Sequence, residues 1–107
     1  MRLRKPKRGE ALTIVSGRAE EAAEVLKAMA SETRLKIMCA LSEGELPVNK
    51  LAELTGQSQS VVSQHLAKLR AAGLVTSRRD GQTIHYRCRT GIAQEIIDTL
   101  CGFYSKP

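Results

Sequence analysis

Residues 51–89 read LAELTGQSQSVVSQHLAKLRAAGLVTSRRDGQTIHYRCR. Three signals follow one another in this stretch. A short apolar-periodic run with Leu51, Ala52 and Leu54 stops at Gly56. Ser58 then stands where a helix N-cap belongs, and a second periodic run continues to about Ala72. Gly73 follows, placed for the chain to leave the helix in a left-handed conformation. Leu74–Arg79 and Gln82–Cys88 read as two strands around Asp80-Gly81, a strong short hairpin signal. In the second strand Ile84, Tyr86 and Cys88 alternate with Thr83, His85 and Arg87, which puts Cys88 on the packed face. Two short helices around a glycine turn, with a basic hairpin directly behind them, describe a winged helix-turn-helix.

The flanks extend this frame with helices. Between Arg18 and Ala30, Ala19, Ala22, Ala23, Leu26 and Met29 recur at spacings of three and four. Ser31 is a plausible N-cap for a buried helix that carries Leu35, Ile37, Met38, Cys39 and Leu41 and ends near Gly44. Pro47 and Asn49 open the next short helix. A last helix runs from Ile92 to about Tyr104, with Ile96, Ile97, Leu100 and Cys101 on its apolar side. Residues 1–17 carry charge, Pro6, Gly9 and Gly17 without helical periodicity and read as a flexible basic arm. The expected organisation is therefore that arm followed by one domain over 18–107. The fold class is mainly α with a β-hairpin wing, with five helices.

Composition narrows the function. A chain of 107 residues holds one domain of ordinary size. Aromatic residues are only 3%, namely Tyr86, Phe103 and Tyr104, which disfavours base stacking on aromatic platforms. The formal net charge is +6 and is unevenly spread. Residues 1–18 set Arg2, Arg4, Lys5, Lys7, Arg8 and Arg18 against Glu10, and residues 58–89 set Lys68, Arg70, Arg78, Arg79, Arg87 and Arg89 against Asp80. Residues 20–53 between them carry more acidic than basic groups. Two basic zones flanking a mildly acidic one point to a polyanion. There is no run of about eighteen apolar residues, so no membrane span is expected. Ala11–Val15 is too short for a signal peptide's apolar region, and the expected location is cytoplasmic. Three widely spaced cysteines, Cys39, Cys88 and Cys101, do not make a secreted disulfide framework. No nucleophile has a paired base, and no phosphate loop is present, so an enzyme is not expected.

On a helical wheel of residues 59–72, Val62, Leu66 and Leu69 fall together toward the core. Gln59, Ser60, Ser63, Gln64 and Ala67 fall on another arc, with Arg70 at its C-terminal edge. An ordinary solvated helix face mixes Glu and Lys, whereas this arc holds no acidic group. Gln and Ser suit base edges and phosphates in the major groove, and Ala67 lets the helix lie close. Lys68 and Arg70 reach flanking phosphates. His65, between the arcs, is expected to pack at an edge and bond locally. In the hairpin, Arg78 and Arg79 precede the turn and Arg87 and Arg89 follow it, while Gln82 and Thr83 are candidate backbone contacts.

The runs LKAMASETRLKIMCAL (26–41) and LAELTGQSQSVVSQHLAKLRAAGLVTSRRDGQTIHY (51–86) resemble the ArsR/SmtB family of bacterial transcriptional regulators. The resemblance covers about residues 25–104. It implies a homodimer built through the first and last helices, with double-stranded operator DNA as partner and an inducer that releases it. It carries DNA contacts onto Gln59, Ser60, Ser63 and Gln64, with wing contacts near Arg78, Arg79 and Gln82. The family's metal-ligand patterns are missing: KLAELT lacks the cysteine pair of its third helix, and IAQEIIDTLCGFY has no histidine. No metal ligands and no cofactor are therefore assigned. The dithiol, persulfide- and redox-responsive subgroup of the BigR/SqrR/HlyU type is the nearest in pattern. Cys39, in IMCAL, matches its first cysteine. Its second follows a final tyrosine, where this chain has Ser105; Cys101 lies four residues earlier, on the same helix face and displaced by about 6 Å along the axis.

The resulting expectation is a sequence-specific DNA-binding repressor whose operator affinity is set by thiol chemistry at Cys39 and Cys101. Its inducer would be a reactive sulfur species or an oxidant. Two alternatives stand beside it. One is a metal- or metalloid-responsive repressor that uses cysteine thiolates, and the other is an architectural DNA-binding dimer that senses nothing.

Overall fold

A computed structural model describes residues 4–105; Arg2 of the basic arm and the last two residues, 106–107, lie outside the described residues. The elements run α1 (Ala11–Ser16), α2 (Ala19–Met29), α3 (Glu32–Leu41), β1 (Leu46–Pro47), α4 (Val48–Thr55), α5 (Gln59–Ala71), β2 (Val75–Asp80), β3 (Thr83–Cys88) and α6 (Ile92–Tyr104). No helix among them is long and apolar enough to cross a membrane.

The caps expected from sequence are in place. The Ser31 hydroxyl accepts from the Arg34 backbone N–H at 3.2 Å, and Ser58 accepts from that of Val61 at 3.1 Å. Each satisfies one donor left over at a helix start. Gly73 has a φ of 75°, which a side chain would strain, and the Leu74 N–H there turns back to the Leu69 carbonyl at 2.9 Å. That reversal aims the wing.

One apolar cluster joins every element from α2 onward. Met29 comes from α2, while Ile37, Met38 and Leu41 come from α3 and Leu51 and Ala52 from α4. Val62, Leu66 and Leu69 enter from α5, Leu74 and Val75 from the wing root, and Ala93 and Ile97 from α6. The wing therefore shares a core with the helix it follows and is not a free hairpin.

Four features differ from the sequence expectation. Residues 11–16 are helical, so there are six helices instead of five, and the segment read as a structureless arm contains α1. All six of its residues are exposed, Leu12 at 79%. A run this short shows less than two turns of periodicity, too little to read. The third helix stops at Leu41, capped at Ser42, not near Gly44. Leu46 and Pro47 pair with Tyr86 and His85, which adds a third strand in the order β1-β3-β2. Two residues carry no strand signal. Finally, Asp80 pairs with Thr83, so the hairpin loop is Gly81-Gln82, one residue later than expected. Gly81, with φ 65°, takes the first loop position, where a two-residue turn of type II′ requires a positive φ.

Leu66 is fully buried, whereas Gln64, two residues away, is exposed. Replacing Leu66 with Ala is expected to lower unfolding stability by about 2–5 kcal/mol. Gln64→Ala should stay within about 0.5 kcal/mol of the parent. Urea unfolding at matched protein concentration measures both.

Candidate nucleic-acid interface

The outer face of α5 is as the wheel places it. Val62, Leu66 and Leu69 are buried, while Gln59, Ser60, Ser63, Gln64, Ala67, Lys68 and Arg70 are exposed. The neutral hydrogen-bonding groups thus stand clear of the body, with Lys68 and Arg70 in the last turn. Cations there also complement the negative end of the helix.

The strand register sorts the wing residues by face. Residues opposite one another in an antiparallel ladder share a face, and neighbours along a strand alternate. Arg79 pairs with Ile84 and lies on the same face as Tyr86, whose side chain borders α5. Arg78 pairs with His85 on the opposite face, with Thr76 and Arg87. Gln82 is exposed at the tip. The two adjacent arginines therefore point to opposite sides of the wing, and Arg79 is the one on the recognition-helix side.

Arg78 is engaged within the protein. Its Nε donates to both Glu45 carboxylate oxygens at 3.0 Å, and its Nη2 donates to Oε1 at 2.7 Å. The guanidinium holds the Glu45 carboxyl below its ordinary pKa, and the carboxylate raises that of Arg78 in return. Arg87 donates from Nε to the Thr76 hydroxyl at 3.3 Å, nearer the wing root. Glu45 lies in the acidic stretch between the two basic zones, and nothing in its sequence context marks it as the partner of a wing arginine.

Arg34 is a second residue that sequence reading missed. It donates from Nε to the Ala28 carbonyl at 2.6 Å, and its Nη1 lies 3.2 Å from Nδ1 of His65. A guanidinium only donates, so Nδ1 accepts and the ring proton sits on Nε2. One side chain thereby ties the end of α2, α3 and the recognition helix together. His65 is half-buried at the edge of α5, as expected, but its bond is to a residue thirty-one positions away and not to a local group.

The thiols occupy two places. Cys39 on α3 is half-buried against the core, and Cys101 on α6 is exposed. They are neighbours across the α3–α6 packing. Burial pushes the Cys39 thiol above its ordinary pKa, and the charge and hydrogen bonding of the adjacent Cys101 push it further. Cys88 lies elsewhere: its thiol donates to the Arg89 carbonyl at 3.4 Å and is raised by burial and by Asp98. Among the described residues, no group of three or more His, Cys, Asp and Glu side chains gathers at metal-binding distance.

Comparison with known proteins agrees with this architecture. Residues 31–77 match the family model described as bacterial regulatory protein, arsR family. Nodulation protein NolR of Rhizobium meliloti is 46% identical over 86 residues, which span 80% of this chain and 70% of that protein. The chain belongs to the arsR family. The family is one of regulators, not of enzymes. Reduced HlyU from Vibrio cholerae superposes with a TM-score of 0.82 at 39% identity, covering 89% of this chain and all of that one. The transcriptional repressor BigR from Xylella fastidiosa also gives 0.82, at 33% identity, over 89% of this chain and 97% of its own. Within this arsR-family fold, α4 and α5 are the helix-turn-helix, and β2 and β3 are the wing.

The His65–Arg34 contact makes a pH prediction. Burial, then Arg34 and Lys68, hold the His65 pKa below its ordinary value. A depressed histidine contributes stability that is present above the unfolded pKa of about 6.5 and is lost as pH falls below it. The thermal midpoint should drop more between pH 7 and pH 5 in the parent than in His65→Gln, which keeps an acceptor but does not titrate. Parallel pH curves for the two proteins would remove His65 from the account.

Proposed function

We propose that this protein is a sequence-specific DNA-binding transcriptional repressor. It acts as a homodimer whose operator affinity is controlled by the thiols of Cys39 and Cys101. The observation that carries the DNA reading is the exposed face of α5, where Gln59, Ser60, Ser63 and Gln64 present hydrogen-bonding groups with no carboxylate among them. Amide and hydroxyl groups on a helix of this kind read base edges in the major groove. Lys68, Arg70 and Arg79 supply phosphate contacts, Gln82 meets the backbone at the wing tip, and Arg78 joins them when it exchanges Glu45 for a phosphate.

The dimer reading rests on apolar side chains left uncovered on the first and last helices of the domain. Leu26 on α2 is 55% exposed, and Ile92, Phe103 and Tyr104 on α6 are 54%, 62% and 78% exposed. Uncovered apolar side chains of this kind suit a second copy.

The thiol reading rests on the placement of Cys39 on α3 and Cys101 on α6, two helices that pack against each other. One sulfane sulfur from a persulfide or polysulfide oxidises the two thiols to a direct disulfide and leaves as sulfide, which carries off both thiol protons; a second sulfane sulfur, retained between the two cysteine sulfurs, makes the link a trisulfide. A direct disulfide needs Cα atoms within about 7 Å, and a polysulfide bridge tolerates more. The link would fix α3, in the body beneath the reading helix, to α6, in the dimer interface. The separation of the two recognition helices would then change, and operators constrain that separation to about 34 Å.

The test uses a duplex selected by the reduced protein from a randomised pool, with binding followed by fluorescence anisotropy. Gln64→Ala is expected to lower affinity about tenfold. A persulfide donor should release the parent as a Cys39–Cys101 link appears by intact mass. Cys39→Ser and Cys101→Ser should bind DNA normally and no longer respond. The raised pKa of the Cys39 thiol also predicts faster linking as pH rises, because the thiolate is the nucleophile. Release that persists in Cys39→Ser would sink the thiol switch and leave the DNA reading intact.

A further inference from the structure

Between the recognition helix and the wing lies a groove made of two adjoining cavities, of about 460 Å³ and about 400 Å³. Ser63 and Tyr86 line both. Arg70 closes one end, and Asn49 and Thr83 stand at the other. No acidic side chain lines either cavity.

Tyr86 sits at the middle of the sheet, opposite Leu46 on one side and Ser77 on the other. Its ring packs against the core, which fixes where the hydroxyl points. Among the described residues no buried polar side-chain atom lacks a partner, and the Tyr86 hydroxyl takes none from the protein. It is therefore a positioned O–H that opens into the groove. Asn49 is exposed at the start of α4, and Arg79 lies on the same wing face as Tyr86. A duplex touched by both α5 and the wing must carry one sugar-phosphate strand across this space. Apart from Arg70 at one end, the donors that line it are neutral.

We infer that this groove seats one DNA backbone strand, with Tyr86 and Asn49 donating hydrogen bonds to its phosphate oxygens. The inference rests on the DNA reading above and adds two residues to it. Their role is to fix register, since phosphate contacts position a protein without reading sequence. Because neither residue is charged, neither displaces a counterion. Their loss should weaken binding without altering its salt dependence. Loss of a basic contact lowers the salt slope by about one.

The experiment uses the full chain, reduced, with the duplex selected from a randomised pool by the parent. Affinity is read by anisotropy from 50 to 200 mM salt. Tyr86→Phe, which keeps the packed ring, and Asn49→Ala, at an exposed site, are each expected to bind about tenfold more weakly with an unchanged slope. Arg79→Ala should reduce the slope by about one. A methylphosphonate scan then locates the contact: at one position the parent loses as much as Tyr86→Phe, and the two losses do not add. Parental affinity in both variants overturns the inference, as does a Tyr86→Phe loss that adds to every methylphosphonate. If no duplex is enriched by the parent, the DNA reading itself fails and this inference falls with it.

Discussion

Burial of Val62, Leu66 and Leu69 along one edge of α5 is the constraint on which the rest of the molecule depends. Fully burying one such side chain is worth about 1.5–3 kcal/mol, so three of them strongly oppose rotation of the helix. Shifting the helix by one residue would turn it by about 100° and expose that edge. Every α5 side chain proposed to meet DNA is outward because these three are inward. Leu74 and Val75 enter the same core a few residues later. The wing is thereby held at a set angle to the helix, and the groove between them is a feature of the folded body, not of a mobile loop.

Charge is arranged around that rigid frame. The centre of the α5 face is neutral, and cations flank it at Lys68, Arg70 and Arg79. Glu45 holds Arg78 in a bidentate pair on the far side of the wing. An exposed pair of this kind is screened by solvent and adds little to stability. Its effect is on where the guanidinium rests and hardly at all on stability, and a phosphate can compete for it. On the proposed reading, long-range attraction therefore comes from the flanks and the basic arm. Discrimination comes from neutral groups whose positions the core determines. That division separates salt-sensitive from salt-insensitive contributions to binding.

What could be read in the sequence was whatever rests on local periodicity or turn chemistry. Ser31 and Ser58 as caps, Gly73 as an exit, the α5 wheel and the span of α6 all depend on neighbours within a few residues. The features that escaped depend on partners far along the chain. Arg34 meets His65 thirty-one residues on, and Glu45 meets Arg78 thirty-three residues on. β1 is a strand only because β3 lies beside it, and no propensity of Leu46-Pro47 announces that. The hairpin missed by one residue for a related reason. Asp-Gly marks a turn, but the register is decided by which face of each strand is buried. The candidate site follows the same rule. Its helical half was legible as a pattern, and its groove was not, because Tyr86 reads in sequence simply as a packed strand residue.

The cysteine pair joins these levels. Cys39 lies on the helix that supports α5 through Ile37, Met38 and Leu41, and Cys101 lies on α6, which also carries the exposed Ile92, Phe103 and Tyr104. Close-packed interiors transmit displacement, because a core without voids cannot absorb it locally. A bond drawn between α3 and α6 would move the dimer surface relative to the body that carries the reading helix. It would alter the distance between two such helices without disturbing either one. Burial of Cys39 serves the same end from the chemical side. A thiol with a raised pKa reacts slowly with weak electrophiles, so on the proposed reading a link would form mainly with strongly reactive sulfur or oxidants. The environment that makes Cys39 a core residue thus also sets the threshold at which it would respond.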